Sequence, residues 1–116
     1  MIEVIIRQYL INAEIEGIGN KVYMETPEEM PEEYIVIEKT GSGEQDHIES
    51  AMIAIQSRSR NRLENAANIN EAVKEAMKAM PYISDEVYSC KLNSDYNFTD
   101  ARTKEYRYQA VFNIYF

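Results

Sequence analysis

Residues 105–116 read EYRYQAVFNIYF. Tyr106, Tyr108, Ala110, Phe112, Ile114 and Phe116 alternate with Arg107, Gln109, Val111, Asn113 and Tyr115, the period-two pattern of a strand with one buried face. Aromatic and β-branched residues suit a pleated, half-buried surface, and neither Gly nor Pro interrupts the run, so a central rather than an edge strand is predicted. A core strand this late in the sequence completes the sheet last, and truncation here is expected to unfold the domain rather than trim it. The opposite face, with Arg107, Val111 and Tyr115, is only half polar, which predicts a second covering element, either the N-terminal helix or a neighbouring subunit.

Working outward, Ser94 to Lys104 reads as a polar loop containing Tyr96 and Phe98, and Val87 to Asn93 as a strand with Tyr88, Cys90 and Leu92 on one face. Tyr82 to Glu86 is a link. From Arg60 to Met80 the period changes to that of a helix, with Leu63, Ala66, Ala67, Ile69, Val73, Ala76, Met77 and Met80 on one stripe. Ser59 or Asn61 serves as N-cap, Glu64 stands three residues after Asn61, and Pro81 is expected to stop the helix. Tyr34–Lys39 and His47–Gln56 form a β-hairpin, with the two glycines of Thr40–Asp46 supplying a loose, mobile tip. Lys21–Met24 is a short strand, and Glu25–Tyr34 is an irregular acidic connection in which Pro27 and Pro31 forbid both helix interior and ladder donation. Met1–Ala13 places Ile2, Ile5, Ile6, Tyr9, Leu10 and Ala13 at helical spacing; Val4-Ile5-Ile6 makes a strand the rival reading, and Gly17 and Gly19 end the element. The sum is one α+β domain over residues 1–116: a mostly antiparallel sheet, an N-terminal helix and one long helix packed on it, in the order α-β-β-β-α-β-β.

At 116 residues the chain supports one modest core. No apolar run approaches the roughly 20 residues of a membrane span, and MIEVIIRQYL lacks the basic region and cleavage site of a signal peptide, so no membrane association and a cytoplasm-like compartment are expected. Cys90 is the only cysteine, which rules out an internal disulfide and a thiolate metal cluster. A net charge of −8 argues against a protein built to grip phosphates. Between Glu25 and Glu49 nine acids face one base, Lys39, which reads as an acidic surface, a solvated face being the plain alternative.

Few residues of the chain suggest catalytic chemistry. His47 is the only histidine and stands in a hairpin without an obvious nucleophile partner. Asp46 and His47, adjacent on a strand, would diverge rather than share a metal. Gly41-Ser42-Gly43 lacks the lysine and helix of a phosphate loop, and Gly17/Gly19 lacks the third glycine of a dinucleotide fingerprint. Cys90 reads as a small buried hydrophobe. No catalytic, cofactor or metal residue is assigned.

One basic cluster stands out in an acidic chain: Arg58, Arg60 and Arg62, at the start of the long helix, the unfavourable end of its dipole for cations. Either it meets an acidic surface of another copy, with Glu28, Glu29, Glu32 and Glu33 as the candidate, or it is a solvated helix start.

Pro27, Pro31 and Tyr34–Ile37 (P-x-x-x-P-x-x-Y-I-V-I), a glycine-containing hairpin, a strand running into a long Ala-rich helix, and the final R-Y-Q-A-V-F-N-I-Y-F together resemble the tail-terminator, or tail-completion and head-tail joining, proteins of long-tailed bacteriophages and prophages. The resemblance covers nearly the whole chain and rests on layout. It implies a small α/β fold, a hexameric ring at the tail-head junction of the virion, with the tail tube protein and a head-side connector as partners. It implies no enzyme activity and no cofactor, and carries over no functional residue. An acidic lumen suits a conduit that DNA passes without being specifically bound. The segments Gly41–Asp46 and Ser94–Lys104, with Gly41, Gly43, Tyr96 and Phe98, are the expected adaptors to tube and head. The alternatives are a monomeric soluble adaptor binding one protein and, third, a small acid/base enzyme, which would need a preformed pocket with perturbed carboxylates.

Overall fold

A computed structural model describes residues 1–103 and 105–116, Gln45 by its backbone alone. The elements are α1 (Ile2–Asn12), β1 (Val22–Tyr23), β2 (Glu33–Gln45), β3 (Ile48–Ser59), α2 (Leu63–Ile83), β4 (Ser89–Asn97) and β5 (Tyr106–Tyr115). The five strands form one sheet in the order β1-β2-β3-β5-β4, antiparallel except for the short β1–β2 pair.

β5 is an interior strand, as its alternation predicted. Ala110, Phe112 and Ile114 stand opposite Ile55, Ile53 and Ala51 of β3, and all six are buried. Both helices cover this face: Ile2, Ile6 and Leu10 of α1 and Ile69, Val73, Met77 and Met80 of α2 share its core with Ile35 and Ile37 of β2. Burial of Ile2, Ile6 and Leu10 at i, i+4 and i+8 outweighs the weak helix propensity of the β-branched run, so α1 is a helix. Because α1 joins α2, it does not cover the opposite face of β5. There Val111 is buried between Ala54 and Ser94 in the sheet register, and Tyr115 is exposed.

Three local expectations are corrected. Gly41 and Gly43 lie inside β2, and the hairpin turns at Asp46–His47, whose φ of 52° and 68° make the two-residue turn with both central residues left-handed. A register shift between Lys39 and Gly41 inserts a bulge, and a Cβ at Gly43 would come within 3.1 Å of Ser50 Oγ across the hairpin. Gly43 serves close approach, not reversal. Ser94–Asn97 belongs to β4, continued past a register shift between Leu92 and Ser94, so only the following residues form a connection; Lys104 lies outside the described residues. Pro81 sits within the last turn of α2, which runs on to Ile83 and closes through the Ser84 N–H on the Met80 carbonyl at 2.8 Å. So near the end of a helix, proline removes one hydrogen bond without stopping it. Ser59 does act at the helix start: its Oγ accepts the N–H groups of Asn61 and Arg62, although the N-cap position itself is Arg62.

Candidate assembly surfaces

Arg58 stands on the open face of β3, between Tyr34 of β2 and Arg107 of β5. It is not a surface charge. Its guanidinium is 3.6 Å from the carboxylate of Glu105, both side chains being 7 % exposed. Nη1 donates to the Tyr34 hydroxyl (3.2 Å) and to Thr26 Oγ1 (3.0 Å), Nε donates to Gln56 Oε1 (3.0 Å), Nη2 donates to the same oxygen, and the guanidinium lies 5.5 Å from the Tyr34 ring centre. The Tyr34 hydroxyl donates to Glu105 Oε2 at 2.8 Å, and burial raises its pKa. Arg107 Nε donates to Glu105 Oε1 at 3.2 Å. Gln56 Nε2 passes the band to Gln109 (2.9 Å), whose amide donates to the Tyr96 hydroxyl. These residues satisfy one another across β2, β3, β5 and β4. A buried cation survives only if paired and hydrogen-bonded in this way, and the pairing also ties the acidic connection to the sheet through Thr26.

The other arginines behave differently. Arg60 and Arg62 are exposed, and neither makes an ion pair among the described residues. Arg60 Nη1 donates to the Met30 carbonyl (3.1 Å), Arg60 N–H to the Glu32 carbonyl (2.8 Å), Asn61 Nδ2 to Glu32 Oε2 (3.2 Å) and Ser59 Oγ to Glu33 Oε2 (3.1 Å). Residues 28–33 therefore lie against 59–62 within one chain, with Glu28, Glu29 and Glu32 exposed. Tyr96 and Phe98 pack edge to face at 5.9 Å, both partly exposed, and Tyr96 is joined to Arg58 through Gln109 and Gln56. Gly41 and Gly43 lie toward the other end of the hairpin, away from Arg60.

A second surface lies at the end of α2. Tyr82, Ile83 and Tyr88 are 90, 69 and 72 % exposed, and a groove of about 530 Å³ between α1 and the end of α2 is lined by Val4, Ile5, Tyr9, Ile83 and Glu86, among others. The apolar pair Tyr82-Ile83, in the stretch expected as a link, is the signal for it in the sequence. Elsewhere, Cys90 packs half-buried against the core, and burial pushes its thiol pKa up to about 12. Lys74 bridges Asp95 (2.6 Å) and Glu71 (2.8 Å), its pKa raised chiefly by the Asp95 hydrogen bond, and Asn70 Nδ2 also donates to Asp95, so α2 is stitched to β4. Among the described residues, no group of three His, Cys, Asp or Glu side chains is placed to hold a metal ion, and no helix is long and apolar enough to cross a membrane.

Compared with protein-family models and with curated proteins, the chain matches none.

Proposed function

We propose that this protein is a structural subunit of a long-tailed phage or prophage particle, which assembles into a ring, hexameric in the particle, caps the tail tube, ends its growth and joins tail to head. The observation that carries the assembly reading is the exposure of Tyr82, Ile83 and Tyr88 near an apolar groove. Large apolar side chains gathered at one end of a small domain mark a contact surface. The layout of the chain supports the placement in a tail, and the net charge of −8 suits a conduit that does not retain DNA. The reading gives the protein a scaffolding role without catalysis or cofactor, in the host cytoplasm during assembly and in the virion afterwards.

Native mass measurement over a range of concentrations, with electron microscopy of purified tails carrying the labelled protein, tests it. Rings in solution or at tail ends are expected. A chain that stays monomeric at high concentration and never caps a tail overturns the proposal, and capture of a single protein partner by that monomer would establish the adaptor reading instead.

A further inference from the structure

The strand register gives the molecule two ends. Glu33, Ser59, Tyr106 and Asn97 lie at one; the Asp46–His47 turn, Ser89 and Tyr115 lie at the other, and α2 runs from the first end to the second. Residues 41–50, 82–90 and 113–116 at the turn end carry Glu44, Asp46, Glu49, Asp85 and Glu86, and Lys39 and Lys91, opposite Ile53 and Asn113, stand at its margin. That end also holds the apolar groove and the exposed Ile83. At the opposite end, Arg60 and Arg62 flank two exposed apolar side chains: Met30, whose carbonyl Arg60 holds, and Leu63, which follows Arg62. Glu28, Glu29 and Glu32 share this end, so net charge does not define the match. What matches is an apolar pair beside two guanidiniums that make no ion pair among the described residues, and an apolar groove beside two carboxylates.

We infer that the groove is occupied by a second copy of this chain: Met30 and Leu63 of one copy cover Val4 and Ile83 of the next, with Arg60 and Arg62 against Asp85 and Glu86. The contact rests on the ring reading above and specifies its geometry. Joining unlike surfaces makes it heterologous, and repetition of such a contact closes a ring or grows a filament. Burying the apolar groups stabilises the contact, and two guanidiniums opposite two carboxylates set its polarity.

Two variants test it, one at each end and both at exposed positions: Ile83→Asp, with Val4→Glu as a second groove variant, and Arg60→Glu combined with Arg62→Glu. Alone, each is expected to stay monomeric at concentrations at least about tenfold above those at which the wild-type chain associates. Mixed, they are expected to form a one-to-one heterodimer and nothing larger, because each keeps one intact end. Wild-type oligomers that persist in both variants overturn this contact but leave the ring reading standing. Two monomeric variants that fail to pair show that these ends do not meet each other. A wild-type chain that never associates overturns both.

Discussion

Arg58 and Glu105 face each other at 3.6 Å, each side chain 7 % exposed, although 47 residues separate them in sequence (105 − 58). Removing one partner strands the other charge in a poorly solvated place, and that loss is larger than the net worth of the pair. Glu105→Ala is expected to lower stability by about 3–5 kcal/mol, and the double variant Arg58→Met, Glu105→Gln by clearly less. Urea unfolding of the three proteins checks this. A double variant as weak as the single one would show that packing, not charge, holds this corner.

Alkaline pH acts through three groups whose pKa is raised on folding: Cys90 to about 12, and Tyr9 and Tyr34 above their usual value, each chiefly by burial. Well below pH 9, the ordinary value of a thiol, these groups are protonated in both states, and their contribution to stability is fully present. As pH rises from about 9 toward about 12, the unfolded chain releases protons that the folded chain keeps, so stability falls. Cys90→Ala is expected to flatten the early part of that fall. The folded protein at pH 8 is also expected to react with a thiol reagent markedly more slowly than the unfolded chain, because less of its thiol is ionised.

The hairpin turn uses two non-glycine residues at positive φ, Asp46 at 52° and His47 at 68°. His47→Gly relieves the steric cost at the second position and adds some unfolded-state entropy, so a net gain of up to about 1 kcal/mol is expected. Thermal unfolding measures it. A loss would mean that the His47 side chain contributes a favourable contact.

Phe112 is buried between Ile53 of β3 and Leu92 of β4 in the sheet register. Phe112→Ala is expected to cost about 3–5 kcal/mol, whereas Tyr115→Ala, at an exposed position on the other face of the same strand, is expected to cost less than about 1 kcal/mol. Equal losses would contradict the one-sided burial of β5.

The sequence by itself determined the elements whose signal is periodic. β5 was legible because its core face repeats every second residue without a breaker, and α2 because Ile69, Val73, Met77 and Met80 recur at helical spacing. The hairpin was legible as a pair of strands but not as a turn: glycine is permitted in a bulged strand as well as in a loop, and only cross-strand register decides which role Gly41 and Gly43 take. The arginine cluster divided for a similar reason. Strand alternation and the arrival of Glu105 and Tyr34 from distant parts of the chain bury Arg58 among partners, while Arg60 and Arg62 remain in water. Likewise the groove exists only because α1 packs beside the end of α2, which no local pattern encodes. Periodicity reports which face of a single element is apolar. Which charges are paired and which apolar side chains stay uncovered depends on neighbours far apart in sequence, and tertiary structure alone decides it.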